Sequence, residues 1–314
     1  MDCFPPILGY FFTIYGLLIA ATGLSLLLKK KIIENKGEAT YVNIRERIRS
    51  WWVMMTLLVA ALAIGKTGTI ILFAFVSLLA LREFITMTPT RASDHRTLCW
   101  VFFILLPYQY MLVYTEWYGL FSIFIPVYAF LIVPIRTVLK DDYERFLERT
   151  AKIQWGMMVS VYFISHIPAL LYLNIDGFNG ANVQLILFLI LVSQLSDIFQ
   201  YIVGKTFGKT KIAPSVSPNK TVEGFVGGVA LAVLFGASLW KTTPFSMTQA
   251  ALIAAVIGVV GFFGGLTMSA IKRDRGIKDY GNLIPGHGGM LDRIDSLCFA
   301  APVYFHIIRY YFAN

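Results

Sequence analysis

The chain alternates long apolar stretches with short polar ones over almost its whole length. A helix needs about 20 mostly apolar residues to cross roughly 30 Å of membrane hydrocarbon. Stretches that approach this length recur through the sequence at residues 7–28, 50–65, 68–86, 97–114, 118–135, 153–173, 183–203, 223–240, 248–271 and 290–312. The pattern therefore predicts an all-α polytopic integral membrane protein with about ten transmembrane helices.

The distribution of positive charge orients these helices. Cytoplasmic loops of membrane proteins are enriched in lysine and arginine. Of the 27 basic residues, 23 fall in alternate loops, at 29–50, 82–96, 136–152, 204–222 and 272–289. We expect those loops to face the cytoplasm and both termini to lie outside. Because three lysines follow the first apolar stretch rather than precede it, that stretch resembles a retained helix and not a signal peptide.

Composition excludes several protein classes. Only 14% of the residues are charged and 57% are hydrophobic, whereas soluble domains carry about 25% charged residues. A soluble domain and a disordered chain are both excluded. Cys3, Cys99 and Cys298 are too scattered for a disulfide framework or a zinc site. Residues 1–150 are plain apolar helix, whereas residues 151–314 carry polar residues in and beside their helices, and we expect a C-terminal catalytic domain there.

A first polar cluster spans residues 193–228. Asp197 lies within an apolar stretch, where a charge is costly unless it faces protein, water or a metal. A polar contact between helices is the alternative. The lysines that follow are interleaved with glycines, which predicts a polyphosphate environment around Lys205, Lys209, Lys211 and Lys220. The run GKTFGKT is one residue too short between its glycines for a P-loop and does not follow a strand, so we reject that motif.

The segment SPNKTVEG within this cluster predicts a turn followed by a helix. Pro218 and Asn219 favour the turn, and Thr221 can cap a helix that begins near Val222. Glu223 then lies in the first helical turn, where a carboxylate suits the helix dipole. A capping role and a catalytic role for Glu223 remain equally open.

A second polar cluster spans residues 269–295. Asp292 and Asp295 are three residues apart, so they share one face of a helix and repel each other unless a cation lies between them. Magnesium favours one or two carboxylates together with substrate phosphates. A self-neutralised salt-bridge cluster is the alternative. His287, flanked by glycines, is expected to contact phosphate, whereas His95 and His166 (like His306) are expected to be structural.

Both clusters resemble one known family. The later one matches the signature of CDP-diacylglycerol synthases (phosphatidate cytidylyltransferases) at Ser269, Lys272–Arg273, Lys278–Asp279, Gly281, Pro285, His287–Gly288–Gly289, Asp292–Arg293 and Asp295. The earlier one is similar to a second block of that family at Asp197, Tyr201, Gly204–Lys205, Phe207–Gly208–Lys209, Ser217–Pro218–Asn219–Lys220–Thr221 and Glu223–Gly224. The similarity covers residues from about 190 to 300.

The resemblance implies a reaction between CTP and phosphatidic acid that gives CDP-diacylglycerol and pyrophosphate. It implies catalytic roles for Lys272, Arg273, Lys278, Asp279, His287, Asp292, Arg293 and Asp295. It implies substrate binding by Lys205, Lys209, Ser217, Asn219, Lys220, Thr221, Glu223, Ser269, Gly288 and Gly289. Mg²⁺, with a second cation as an option, would be held by Asp197, Asp292 and Asp295. The expected setting is the lipid bilayer of a bacterial cytoplasmic membrane, with a cytoplasmic-side active site, a homodimer and no nucleic-acid partner.

Two departures from the family pattern predict a divergent branch. Gly265 stands where the family has a metal-binding aspartate, with Met268 in place of a glutamate, and Gln200 alters a second motif. We expect the metal site to be completed differently or the activity to be altered. The small-residue pairs Gly224/Gly228 and Gly261/Gly265 allow helices to approach closely, in a dimer or within the chain.

Two other functions remain as alternatives. A CTP-dependent kinase of a polyprenol-type lipid alcohol would use the same nucleotide, but the intact signature disfavours it. A transporter would need polar residues across its helices, whereas here they cluster at one membrane face.

Overall fold

The computed structural model describes residues 4–178, 180–286 and 288–314, with side chains in those ranges except at 4–14, 17, 32, 35 and 36. The helices are α1 (Phe4–Leu27), α2 (Lys29–Lys36), α3 (Glu38–Ile64), α4 (Lys66–Thr86), α5 (Ala92–Tyr114), α6 (Tyr118–Val138), α7 (Phe146–Tyr172), α8 (Val183–Phe207), α9 (Val222–Ser238), α10 (Met247–Asp274) and α11 (Leu291–Tyr311). Two strands, β1 (Lys211–Ala213) and β2 (Ser217–Thr221), lie between α8 and α9.

Each of the ten apolar stretches coincides with a helix. Within the described residues, seven helices are long and apolar enough to cross a membrane, namely α3 to α8 and α10. Helix α9 has 17 residues and is shorter than a full crossing, and α11 begins with the charged residues of the second polar cluster. The all-α polytopic architecture is confirmed.

The C-terminal helices pack tightly in sequence order, α8 on α9, α9 on α10 and α10 on α11. Glycines make the close approach possible, because a Cβ at Gly228 would lie 2.4 Å from Gln200 Cγ and one at Gly264 would lie 2.6 Å from Phe299 Cβ. A Cβ at Gly261 would meet Ser296 of α11 at 3.5 Å. The small-residue pairs predicted from the sequence therefore serve packing within the chain.

Loops gather at two ends of the helical bundle. At one end, Lys66 Nζ lies 3.9 Å from Glu116 and 4.2 Å from the centre of the Tyr172 ring, and the Asn314 amide donates to Asn174 O at 3.0 Å. The basic segments meet at the other end, which we call the basic end: residues 29–50, 82–96, 136–152, 204–222 and 272–289. The first of them was predicted to be a loop but is helical, since it comprises α2 and the first half of α3. There Arg91 pairs with Asp142 at 3.1 Å and the 42–50 segment contacts residues 285–286.

The hairpin corrects one local prediction. Pro218 and Asn219 lie in β2, which pairs antiparallel with β1, and the turn falls at residues 214–216 instead. A proline is tolerated here because each strand of a two-stranded sheet has a free edge. The predicted cap is confirmed: Thr221 Oγ1 accepts a hydrogen bond from the Gly224 amide at 3.1 Å, and α9 begins at Val222.

Candidate active site

A cavity of about 610 Å³ opens at the basic end of the bundle. Its walls come from the hairpin, α8, the start of α9, α10, α11 and the first half of α3. Nine residues predicted from the two polar clusters line it, namely Asp197, Ser217, Asn219, Lys220, Thr221, Ser269, Asp292, Arg293 and Asp295. Residues almost 100 positions apart in sequence are thus brought to one place.

Two carboxylates and one ammonium group form the charged floor of the cavity. Asp197 interacts electrostatically with Asp295 and Lys220 and is hydrogen-bonded by the hydroxyl of Ser296. Lys220 Nζ donates to Phe262 O at 3.3 Å and lies 4.6 Å from the centre of that ring. Burial lowers the pKa of the Lys220 ammonium from its usual value, and the two carboxylates partly oppose that shift. The floor therefore combines hard oxygen donors with a desolvated cation.

Asp292 is the anchor of the segment 275–290, which we call the signature loop. Its Oδ1 accepts from Lys272 Nζ at 2.8 Å. Its Oδ2 accepts from the amides of Tyr280 at 2.8 Å and Gly289 at 2.9 Å. With 4% of its side chain exposed, Asp292 is held by charge-assisted bonds on both oxygens. Lys272, predicted to be catalytic, and Gly289, predicted to bind substrate, thus both contact Asp292.

Two glycines of the signature loop lie against carboxylates, Gly288 against Asp292 and Gly289 against Glu83. Gly288 has φ +84°, and a Cβ there would lie 2.9 Å from Asp292 Oδ2. A Cβ at Gly289 would lie 2.5 Å from Glu83 Oε2. His287, predicted to contact phosphate, lies outside the described residues. A side chain at either position would collide with a carboxylate. The close packing of the loop backbone against Asp292 and Glu83 therefore requires glycine at both positions.

Several predicted residues lie beside the cavity rather than on its wall. Arg273 Nε donates to Val216 O at 3.2 Å, and Arg273 Nη1 donates to Ile277 O at 3.3 Å, so this side chain joins the hairpin to the signature loop. Lys278 and Asp279 are exposed at the start of the same loop. Neither of these two side chains lines the cavity.

The end of α8 is also organised by protein contacts. The Glu223 carboxylate accepts from the amides of Lys209 at 3.0 Å and Thr210 at 3.1 Å, so it joins the start of α9 to the chain that follows α8. These hydrogen bonds, that from the Lys209 amide above all, lower the pKa of the Glu223 carboxyl below its usual range and fix the chain that enters the hairpin. The Lys205 ammonium lies 5.7 Å from the centre of the Tyr201 ring, and Lys209 is exposed.

The sequence did not predict the residues that the N-terminal half contributes. Arg47 and Trp51 of α3 line the cavity, and Arg47 Nε donates to Gly286 O at 3.0 Å. Ser50 Oγ donates to Pro285 O at 2.8 Å. Arg47 is one of seven basic residues in the segment 29–50, and nothing in the sequence distinguishes it.

Glu83 holds the signature loop from the other side. Its carboxylate accepts from the amides of Met290 at 2.8 Å and Leu291 at 2.9 Å, at the start of α11. A carboxylate is favourable at a helix N-terminus, where amides lack partners within the helix. Glu83 follows an apolar run, and a carboxylate at the end of a membrane helix was the signal that could have identified it.

The donor set fits a magnesium ion. Magnesium is usually bound by one or two carboxylates together with substrate phosphates. Asp197 and Asp295 supply two carboxylates on the cavity wall, whereas both oxygens of Asp292 already accept hydrogen bonds. In the part of the chain that the structure describes, no three acidic, histidine or cysteine side chains form a metal-binding group. A cation here would therefore depend on the phosphates of the substrate.

Gly265, the main departure from the family pattern, lies on the cavity wall. A Cβ there would lie 3.1 Å from Ser296 Oγ, 3.2 Å from Lys220 Nζ and 3.9 Å from Asp295 Oδ2. Ser269 Oγ donates to the Gly265 carbonyl at 2.7 Å. The space that a side chain at 265 would enter is thus already bordered by the Lys220 ammonium.

The chain is similar to one family of known proteins along most of its length. The model of the cytidylyltransferase family matches residues 45–311. The chain is 32% identical to the phosphatidate cytidylyltransferase of Bacillus subtilis over 278 residues, which cover 85% of this chain and 98% of that protein. It is 40% identical to YnbB of Escherichia coli, described as uncharacterized, over 95% of this chain and 97% of that protein. The phosphatidate cytidylyltransferase of Aquifex aeolicus is 39% identical over 146 residues, 46% of this chain and 55% of that protein.

These relatives give no support to the kinase and transporter alternatives. The matched range begins at residue 45, so it includes the part of α3 that reaches the cavity. The chain belongs to the cytidylyltransferase family and is a membrane-embedded nucleotidyltransferase.

Proposed function

We propose that the protein transfers the cytidylyl group of CTP to phosphatidate and releases pyrophosphate. The observation that carries the proposal is the cavity where nine predicted residues from two distant polar clusters meet. The names of the B. subtilis and A. aeolicus relatives support phosphatidate as the acceptor. The product is CDP-diacylglycerol, a precursor for phospholipid biosynthesis.

The chemistry is an in-line displacement at phosphorus. An oxygen of the lipid phosphate forms a bond to the α-phosphorus of CTP, and the bond from that phosphorus to the β-phosphate oxygen breaks. Positioning and charge stabilisation supply most of the catalysis in such transfers. Lys220 and Arg293 line the cavity and would neutralise the phosphates. Ser217 and Asn219 would orient the nucleotide by hydrogen bonds.

Mg²⁺ is part of the proposal. Asp197 and Asp295 would hold it, and when bound it would neutralise charge on the phosphates of CTP. Asp292 would act through the signature loop that it anchors. The cytoplasmic orientation of the basic end, the termini outside and the homodimer remain predictions of charge distribution and family resemblance.

Isotope position in the product tests the proposal against the kinase alternative. Purified protein in detergent is given Mg²⁺, phosphatidate and CTP labelled at either the α- or the γ-phosphate. We expect the α-label in the lipid and the γ-label in pyrophosphate, in equal amounts. Transfer of γ-label to a polyprenol with release of CDP would establish the kinase, and absence of label from every lipid would reject both.

A further inference from the structure

Arg47 enters the cavity from a helix that carries none of the polar motifs. It lies on α3, one turn before Trp51, and both residues line the cavity. Its Nε donates to Gly286 O, which fixes one edge of the guanidinium group to the signature loop. Among the described residues, this is the one side-chain hydrogen bond of Arg47. Its two terminal nitrogens, Nη1 and Nη2, remain available as donors beside the cavity. We propose that Arg47 binds the phosphate monoester of the acceptor lipid; this inference rests on the proposed function.

The donor geometry suits a phosphate. A guanidinium group has five N–H donors in a planar fork, and its free edge can bind two oxygens of one phosphate. Because Arg47 remains exposed, its charge is available to a ligand that arrives from outside the protein. Anchoring through Nε would hold that free edge in one orientation.

The surroundings of Arg47 favour a lipid phosphate over the phosphates of CTP. Helix α3 packs against α1, α2 and α4, and in the described residues it has no extended packing against α8, although both helices line the cavity. Apolar side chains of both helices border the cavity beside Arg47. Trp51 of α3 and Ile198 of α8 both line it, and Ile198 is 45% exposed.

An acyl chain attached to a phosphate at Arg47 could therefore descend between the two helices in apolar surroundings. Tryptophan favours the level of the lipid headgroups, and Trp51 lies between Arg47 and the apolar part of α3. CTP has no apolar part that would use this gap. The hairpin wall, with Lys220, Ser217 and Asn219, is the polar wall suited to the nucleotide.

The test separates the two substrates of the reaction. Initial rates of Arg47→Gln are measured in mixed micelles, with phosphatidate mole fraction varied at saturating CTP and then the reverse. We expect the KM for phosphatidate to rise about 10- to 100-fold, as for loss of a charge-assisted hydrogen bond, with the KM for CTP changed less than about 2-fold. Arg47→Lys, which keeps the charge but not the fork, should give an intermediate KM.

Two matched variants on the same helix distinguish binding from anchoring. Ser50→Ala removes the neighbouring bond to Pro285 O without removing a charge, so it should leave the KM for phosphatidate unchanged. Arg49→Gln removes an exposed charge from α3 away from the cavity and should behave as wild type. A rise in the KM for CTP in Arg47→Gln, an unchanged KM for phosphatidate, or the same rise in Ser50→Ala would overturn the proposal.

A binding measurement keeps the inference independent of turnover. Phosphatidate added to detergent micelles without CTP should raise the thermal midpoint of the wild type and of Ser50→Ala, but not of Arg47→Gln. Equal stabilisation of all three would reject the role of Arg47. A wild type that phosphatidate stabilises but that forms no CDP-lipid would instead reject the proposed function and leave the lipid site standing.

Discussion

The two halves of the molecule contribute to the same site in different ways. Residues 151–314 carry both polar clusters, and the cavity wall is built mostly from them. Residues 1–150 carry no comparable motif, yet Arg47 and Ser50 hold residues 285–286, and Glu83 holds the start of α11. Residues of the N-terminal half thus hold the backbone of the signature loop in the C-terminal half. A catalytic domain limited to residues 151–314 would lack these contacts.

Glu83 and Asp292 show the difference most clearly. Both are carboxylates that each accept two amide hydrogen bonds next to the start of α11. Asp292 belongs to the signature and was predicted, whereas Glu83 lies more than 200 positions away and was not. Two carboxylates with similar hydrogen-bonding roles can therefore differ in whether a sequence motif reveals them.

The largest effects are expected within the C-terminal half, where Asp292→Asn and Asp295→Asn should both reduce cytidylyl transfer below about 1% of wild type. Their stabilities should differ. Asp292→Asn leaves Lys272 without its buried partner, which costs about 3–5 kcal/mol. Asp295→Asn removes a buried carboxylate that interacts with both lysines and carboxylates, so the lost attraction and repulsion partly cancel and its thermal midpoint in detergent should stay near that of wild type. Equal destabilisation of both variants would contradict the separation of scaffold and cavity.

Glu83→Gln tests whether the N-terminal half controls the site. The amide keeps one acceptor oxygen and presents an N–H₂ group to a backbone N–H, so kcat should fall about 10- to 100-fold. Glu116→Gln, at the opposite end of the bundle, is the matched control and should retain wild-type kcat. Equal kcat values for the two variants would mean that Glu83 does not position the loop.

Substitution of a glycine between the C-terminal helices should have a more moderate effect on stability. Gly264→Ala places a Cβ 2.6 Å from Phe299 Cβ, and such overpacking costs about 1–3 kcal/mol. Gly119→Ala, where a Cβ meets nothing within 4 Å, should be neutral or slightly stabilising. Thermal midpoints of the two variants check this difference. A midpoint for Gly264→Ala at or above that of Gly119→Ala would show that α10 and α11 are not closely packed there.

The smallest expected effect concerns the loops of the N-terminal half. The Ser93 hydroxyl donates to Asp142 at 2.6 Å and, with Arg149 and Arg91, lowers the pKa of that carboxyl. A carboxyl whose pKa is lower in the folded than in the unfolded protein stabilises the fold at pH values above its unfolded-state pKa. That stabilisation is lost as the pH falls through the folded-state pKa. The thermal midpoint of wild type should therefore approach that of Asp142→Asn below about pH 4. Asp141→Asn is the control and should follow wild type at every pH.

The sequence by itself determined the class of the protein, the approximate limits of its ten apolar helices and nine of the residues that line the cavity. Hydrophobic length and charge asymmetry are local properties, so they can be read along the chain. The cap at Thr221 was predicted for the same reason, since it depends on three residues of one segment. The prediction of a turn at Pro218 was wrong because pairing of β2 with β1 outweighed the local turn preference of Pro218 and Asn219.

Only the tertiary structure decided which side chains bind one another. Asp292 was expected to bind metal, and the fold shows both of its oxygens accepting from Lys272 and from loop amides. The small-residue pairs could have served a dimer, and the fold uses them between its own helices. Arg47, Ser50 and Glu83 reach the site only because α3 and α4 pack beside the signature loop. Such contacts depend on long-range packing, which the order of residues along one segment does not encode.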